Sequence, residues 1–188
     1  MQTPKQSQKV SSRQFLTFTL GAREDPADEE TGIQANAVHT NGVHTNYGIN
    51  LLSVQEIRGY TPATPFPNAP SHVKGAVNLR GSVIPILDLR IRFGVPDPQY
   101  TKFTVVIVVL IAGKTVGMVA DSVSDVLDLP ASQVLPPPDF GPRRHSDCVE
   151  GLVDVDGGLV LILDLHRMLV ADGIIEIHEG ALAGQEAA

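Results

Sequence analysis

Residues Lys74–Phe93, KGAVNLRGSVIPILDLRIRF, and residues Glu150–Leu169, EGLVDVDGGLVLILDLHRML, are two versions of one pattern. Gly75 answers Gly151, Val77 answers Val153, Gly81 answers Gly157, and Leu87-Asp88-Leu89 answers Leu163-Asp164-Leu165, without a gap. An internal repeat constrains a fold more than any single element does, because both copies must take one local shape and bury one face. The match extends upstream. Tyr47–Ile57 lines up with Val116–Val126, and Phe15–Leu20 can be set against Thr104–Leu110. Each half then reads strand, strand, bent strand, loop, strand, strand, short helix.

Gln14–Leu20 sets Phe15, Thr17 and Thr19 against Leu16, Phe18 and Leu20, a strand with one face the more apolar. Tyr47–Arg58 shifts parity at Leu51-Leu52, which predicts a bulge or bend, and the spacing puts Glu56 on the face of Val54. Thr61–Pro70 carries four prolines, which cannot donate to a ladder, and reads as an extended loop. Ala69–Lys74 has the length for one helical turn. Gly81 turns the first hairpin, and Pro85 demotes its second strand to an edge or a bulge. Asp88 is placed to cap a helix over Leu89–Phe93, with Gly94 as its stop. Phe103–Ile111 predicts a buried strand, Ala112-Gly113-Lys114 a tight turn, Thr115–Ala120 its partner and Val123–Leu129 the next strand. Asp156-Gly157-Gly158 turns the second hairpin, and Asp164 caps a helix reaching Val170. Pro130–Pro142 is a second proline-rich loop.

The flanks are different. Residues 1–13 are polar and without period, which predicts a disordered tail. Residues 23–46 hold REDPADEE and a near-tandem AVHTNGVHTN, with few large apolar residues, and form a polar insert. Residues 172–188 mix helix formers with glycine and read as a C-terminal tail. Between the tails, residues 14–171 form one unit of two duplicated halves, about 14–95 and 102–171, with room for strand exchange between them.

Many short strands with glycine and proline turns mean an all-β barrel or sandwich, and the duplication makes it two small barrels packed together. Of 188 residues 43% are hydrophobic but only 5% aromatic, without tryptophan, so Val, Ile and Leu must fill the core. Neither half alone buries much, which argues for one continuous core.

Several functions are argued against. A net charge of −7 speaks against a nucleic-acid surface. Val105–Ala112, the most apolar stretch, is too short to span a bilayer, so no direct membrane insertion is expected. Cys148 is the single cysteine, so no internal disulfide can form, as suits a reducing cytoplasm. It sits in a loop beside Asp147, with His145 near in sequence but no motif to join them. His39 and His44 have no third ligand nearby in sequence, which makes them a weak signal for metal. Phosphate-binding and zinc-protease motifs are absent. Asp88 and Asp164 look like paired acids, but their register in the repeat explains them as helix caps. The chain offers no reaction centre and calls for no cofactor; a binding module is the better class than an enzyme. An enzyme-like or metal-binding role through the histidines of the insert is the other reading.

The blocks QFLTFTLG, YGINLLSVQEIRGY, VKGAVNLRGSVIPILDLRIRFG, FTVVIVVLIAGKTVGMVADSVSDVLDL and EGLVDVDGGLVLILDL resemble, in order, the strand blocks of the CheW family of chemotaxis coupling proteins. The resemblance covers residues 14–170 apart from the insert, which stands where the family has a short turn. It implies two SH3-like five-stranded β-barrels packed together, with short helices. It implies a cytoplasmic adaptor at receptor arrays under the membrane, bridging the regulatory domain of a CheA-type histidine kinase and the cytoplasmic tip of a methyl-accepting chemoreceptor. The same resemblance leaves open an adaptor of another chemosensory or surface-motility pathway. Residue by residue it implies receptor coupling by Val54, Glu56, Ile57, Gly75, Arg80, Val123 and Val126, with an ion pair between Glu56 and Arg80. Val54, Ile57, Val123 and Val126 serve equally well as core, and Gly75 as a backbone necessity.

Overall fold

The computed structural model describes residues 12–21, 45–137 and 148–176. The expectations for the polar tail before Ser12, for the insert up to His44 with its two histidines, for the rest of the second proline loop with His145, and for the end beyond Glu176 lie outside them.

The described chain forms ten strands and two short helices. They are β1 (Ser12–Leu20), β2 (Thr45–Asn50), β3 (Val54–Gly59), β4 (Val73–Leu79), β5 (Ser82–Asp88), α1 (Leu89–Arg92), β6 (Val105–Ile111), β7 (Lys114–Ala120), β8 (Ser122–Pro130), β9 (Val149–Val155), β10 (Gly158–Leu163) and α2 (Leu165–Ala171). The fold is all-β, as the residue pattern predicts. The predicted bend at Leu51-Leu52 is a single 3-10 turn over Leu51–Ser53, with the Asn50 carboxamide oxygen accepting the Leu52 amide.

The sheets do not follow the order of the chain. One contains β8-β1-β2-β10-β9 and the other β3-β6-β7-β5-β4. Each copy of the repeat therefore gives its first two strands to one sheet and its last three to the other. The chain changes sheet at Leu51–Ser53 and again at Asp121. Equivalent ladders hold each sheet. Parallel β2–β10 pairing sets Gly48 beside Ile162, and parallel β5–β7 pairing sets Gly117 beside Ile86. Both glycines leave room for the facing isoleucine: a Cβ on Gly48 would lie 2.8 Å from Ile162 Cδ1, and one on Gly117 2.5 Å from Ile86 Cδ1.

Neither hydrogen-bonded ladder runs all the way round. Each gap is bridged by the segment that continues an edge strand. Thr64, beyond β3, pairs with Ala76 on β4, and Leu135, beyond β8, pairs with Leu152 on β9. Where the first of these segments crosses β4 there is no room for a side chain. A Cβ on Gly75, whose φ is +124°, would lie 1.9 Å from the Thr64 carbonyl oxygen. Gly151 meets Leu135 in the same way at 2.6 Å. Gly75 and Gly151, one of the glycine pairs that mark the repeat, are thus the crossing points that curl each sheet toward an SH3-like barrel.

Three clusters of buried side chains follow. Phe15, Leu129, Val153, Val160 and Ile162 fill the first barrel; Ile84, Ile86, Val106, Val108 and Val119 fill the second. The largest cluster lies between the barrels and draws Leu16, Phe18, Tyr47, Ile107, Met118 and Met168, among others, from both copies. Phe18 stacks on Tyr47, and Tyr47 on Phe93 beyond α1, which carries aromatic packing from one copy's β1 to its own helix across the sheet boundary. Arg92 on α1 reaches Asp172 after α2 at 2.7 Å, both side chains nearly buried.

Several local expectations are corrected. β1 is buried on both faces, Phe15 inside a barrel and Leu16 and Phe18 in the shared core, because it lies second in its sheet between β8 and β2. Pro85 is not on an edge strand. β5 lies between β4 and β7, and β7 pairs only from Ile86 onward, past the missing donor. Residues 69–74 hold no helix: 71–72 form a turn, and β4 begins at Val73. β6 starts at Val105, leaving Phe103 half-exposed. Cys148 is not in an open loop but buried in the shared core. The ladders also reset the first strand of the repeat. Thr17 lies opposite Gly48 and Val108 opposite Gly117, so Phe15 answers Val106 rather than Thr104.

Gly75→Ala removes the one residue type that the crossing tolerates. A strained backbone of this kind costs about 1–3 kcal/mol before the clash with Thr64 is counted, so its urea midpoint should fall well below that of Gly81→Ala, whose Cβ meets open space.

Candidate functional site

β3 and β8 are equivalent strands of the two copies, and each is an edge of its sheet. Directly opposed residues in an antiparallel ladder share a face. Val54 lies opposite Val109 and Ile57 opposite Ile107; Val123 lies opposite Phe18 and Val126 opposite Leu16. All four partners belong to the shared core. Val54, Ile57, Val123 and Val126 therefore line the seam between the barrels from its two edges, in repeat-related pairs. Val54 and Val123 are half-buried against the core, while Ile57 and Val126 are each 44% exposed. The last two are not plain core: they continue its apolar surface into solvent.

Glu56 and Arg80 come together as the sequence suggests, with Arg80 Nη2 2.6 Å from Glu56 Oε2. Arg80 sits in the β4–β5 turn beside Gly81, both at positive φ as a two-residue hairpin of type I′ requires. The pair joins β3 to the turn between β4 and β5, and so ties the two edges of the second sheet to each other. Glu56 does not share the face of Val54. The register shifts between them and sets Glu56 opposite Val108 inside the second barrel. The Arg80 side chain is 82% exposed, so the bridge orients it and stabilises little. Gly75 is not brought to the seam; it lies at the Thr64 crossing.

The structure adds a cluster that the sequence pattern did not single out. Asp88 caps α1, accepting the Arg90 amide at 3.0 Å, and Asp164 caps α2 likewise through Arg167. Asp88 does more. Its carboxylate also accepts Arg90 Nε at 3.0 Å and Nη2 at 2.8 Å, and the Tyr100 hydroxyl at 2.8 Å. Arg90 Nη1 reaches Asp121 Oδ1 at 2.8 Å and the Gln99 carbonyl at 2.6 Å. The side chains of Asp88 and Arg90 have no exposed surface. Tyr100 covers the guanidinium, its ring centre 4.4 Å away, and stacks on Tyr60. Burial pushes the Asp88 carboxyl up, but hydrogen bonds from Arg90 and Tyr100 and the adjacent positive charge outweigh it, holding it below the usual carboxylate range. Burial and the hydrogen bond to Asp88 both push the Tyr100 phenol up. A signal lay in the residue that follows Leu-Asp-Leu, where the copies differ: Arg90 stands where the second copy has His166.

Among the described residues no group of three His, Cys, Asp or Glu is placed to hold a metal ion, and Cys148 lies within the core. What the surface does offer is an apolar seam with a charged turn beside it. This is the architecture of a paired-barrel binding module. The sequence pattern of the CheW-like domain matches residues 37–172. The chain is 36% identical over 160 residues to the chemotaxis protein CheW of Klebsiella aerogenes, covering 85% of this chain and 83% of that one. It is 37% identical over 124 residues to CheW of Rhizobium meliloti, covering 66% and 80%. The crystal structure of the scaffolding protein TtCheW from Thermoanaerobacter tengcongensis superposes with a TM-score of 0.66 at 26% identity, over 85% of this chain and 93% of that one. The chain belongs to the CheW-like domain family.

Arg90→Met leaves Asp88 buried and without its charge partner. Breaking such a pair from one side costs about 3–5 kcal/mol, which chemical denaturation should register as a lowered midpoint with an unchanged slope. The lowered Asp88 carboxyl also sets a pH dependence. Its contribution is present above the ordinary carboxylate pKa, about 3.9, and is lost as pH falls through its lower folded value. Acid titration of wild type should thus show a stability loss below about pH 4 that is much smaller in Asp88→Asn.

Proposed function

We propose that this chain is the adaptor of a chemosensory array, holding a CheA-type histidine kinase through its regulatory domain and the cytoplasmic tip of a chemoreceptor at the same time. Its membership of the CheW-like family makes it a chemotaxis adaptor; the identity of the two partners is the proposal. The observation that carries the receptor half is the seam. Ile57 and Val126, repeat-related and equally exposed, extend a continuous apolar core into solvent between two edge strands. An amphipathic helical hairpin buries its apolar face in a groove of this kind. The four seam residues would provide the apolar contact, and Glu56 would hold Arg80 at the rim for a carboxylate on the partner. Gly75 contributes indirectly, by keeping the second barrel curled and so placing the Arg80 turn.

The role requires no reaction chemistry from the adaptor itself. No helix among the described residues is long and apolar enough to cross a membrane. We place the protein in the cytoplasm, at the inner face of the membrane, through its receptor partner.

Co-sedimentation with a CheA-type kinase and a receptor cytoplasmic fragment, with kinase activity read alongside, tests the proposal. Wild type should form the ternary assembly and change kinase activity. Ile57→Asp and Val126→Asp should each lose receptor binding while keeping kinase binding and a wild-type melting temperature. Arg80→Glu should weaken receptor binding and shift stability by no more than about 1 kcal/mol, and Glu56→Arg added to it should restore the bridge. A folded protein that binds neither partner would sink the reading, as would seam variants that bind both normally.

A further inference from the structure

Charge is not spread evenly along this chain. Residues 57–104 hold six Lys and Arg and two Asp, a net charge of +4; out of a total of −7, the rest of the chain carries −11. Most cations in the structure are already engaged. Arg13, Arg80, Arg90, Arg92 and Arg167 form salt bridges, and Lys114 donates to the Ile174 carbonyl. Among the described residues Arg58, Lys74 and Lys102 meet no carboxylate. All three stand beside one group of aromatic rings.

That group is built at one end of the second barrel. The β3–β6 ladder runs one pair past Gly59 and Val105, because Tyr60 donates its amide to the Thr104 carbonyl. Tyr60 therefore shares the face of Arg58, which lies opposite Val106 of the second barrel's interior, and not that of Ile57, which lies opposite Ile107 of the shared core. Tyr60 stacks on Tyr100, ring centres 4.4 Å apart, and Tyr100 stays 41% exposed although Asp88 holds its hydroxyl. From Tyr100 the chain makes a tight turn over Thr101–Thr104, whose tip presents Lys102 and the half-exposed Phe103. Lys74 Nζ stands 5.7 Å from the centre of the Tyr100 ring, and Lys102 Nζ 5.0 Å from that of Phe103. At such distances a ring face attracts an ammonium, so both lysines are positioned while their charge remains available.

We infer that this face binds an acidic peptide segment of a partner protein, one whose carboxylates alternate with apolar side chains. Arg58, Lys74 and Lys102 take the carboxylates, and the exposed ring surface of Tyr100 and Phe103 takes the side chains between them. The surroundings decide the form of the partner. A membrane leaflet or a nucleic-acid duplex is a broad anionic surface and would press like charge against the −11 of the rest of the chain. A narrow segment meets the patch alone, since at physiological salt charges more than about 8 Å apart are largely screened. The chain's own nearby acids do not fill the role. Asp88 is buried under Arg90 and Tyr100, Glu56 is held by Arg80, and Asp97 lies exposed in the connector before Tyr100. The face is turned away from the seam, so it adds a contact to the adaptor rather than restating the receptor site.

The test is fluorescence anisotropy of a short labelled peptide in which Glu alternates with Phe, titrated with the full chain at low salt. Wild type should bind it, and bind the same peptide with Gln for Glu many-fold more weakly. Lys74→Glu, Lys102→Glu and Phe103→Ser should each weaken binding several-fold. Lys114→Glu makes the same charge change away from the face and should leave binding as it is. Amide spectra should shift at Arg58, Tyr60 and residues 100–104 on adding peptide, with Val123 and Val126 unmoved. Lys102 and Phe103 sit at an exposed turn tip, so their variants should keep the wild-type melting temperature. No binding, equal binding of the Gln peptide, or an equal loss in Lys114→Glu would overturn the inference. So would phosphatidylglycerol vesicles that displace the peptide, which would assign the face to a membrane.

Discussion

A guanidinium with no exposed surface stays in a protein interior only where carboxylates and carbonyls reach nearly every donor it has. Arg90 meets that condition by drawing on three separate stretches of chain: Asp88 at the end of β5, Gln99 in the connector, and Asp121 where the chain changes sheet. Asp121 uses its other oxygen to accept the Gly21 amide just past β1, at 2.9 Å. One buried charge thus fixes the helix after the first hairpin, the crossing between the barrels and the exit of β1. Such a cluster adds little net stability over an apolar core, but its geometry admits few alternatives.

The strand exchange gives that geometry its consequence. If each copy of the repeat formed its own barrel, the two would meet only through their surfaces and would move like ordinary domains. Here the first two strands of each copy are built into the other's sheet, and the largest core cluster lies between the sheets. The edge strands β3 and β8 are thereby held on either side of one rigid seam. A partner helix meets preformed walls, and less of its binding energy is lost to ordering the adaptor.

Much of this was legible in the chain. The glycines and Leu-Asp-Leu of the repeat foretold both long hairpins and both capped helices, and the family resemblance pointed to the Glu56–Arg80 pair. The chain left room for exchange without requiring it, because a repeat looks the same whether its copies pair with themselves or with each other. The face of Glu56 was misread because a one-residue bulge inverts parity without leaving a mark in the alternation. Pro85 looked like an edge signal because a missing donor is harmless wherever the neighbouring ladder starts one residue later. Arg90 stood in plain view, but an arginine in the first turn of a short helix usually reads as surface, and only its carboxylates in space reveal that it is not. Gly75 was legible as special; that its neighbour is the Thr64 carbonyl depends on a crossing that sequence spacing does not encode.

The central claim is that exchange makes the two barrels one cooperative body, so that the seam is a fixed surface. Differential scanning calorimetry of the intact chain tests it most directly. The account predicts one transition whose calorimetric and van't Hoff enthalpies agree. Two resolved transitions, or a calorimetric enthalpy well above the van't Hoff value, would mean that the barrels unfold separately and would contradict it.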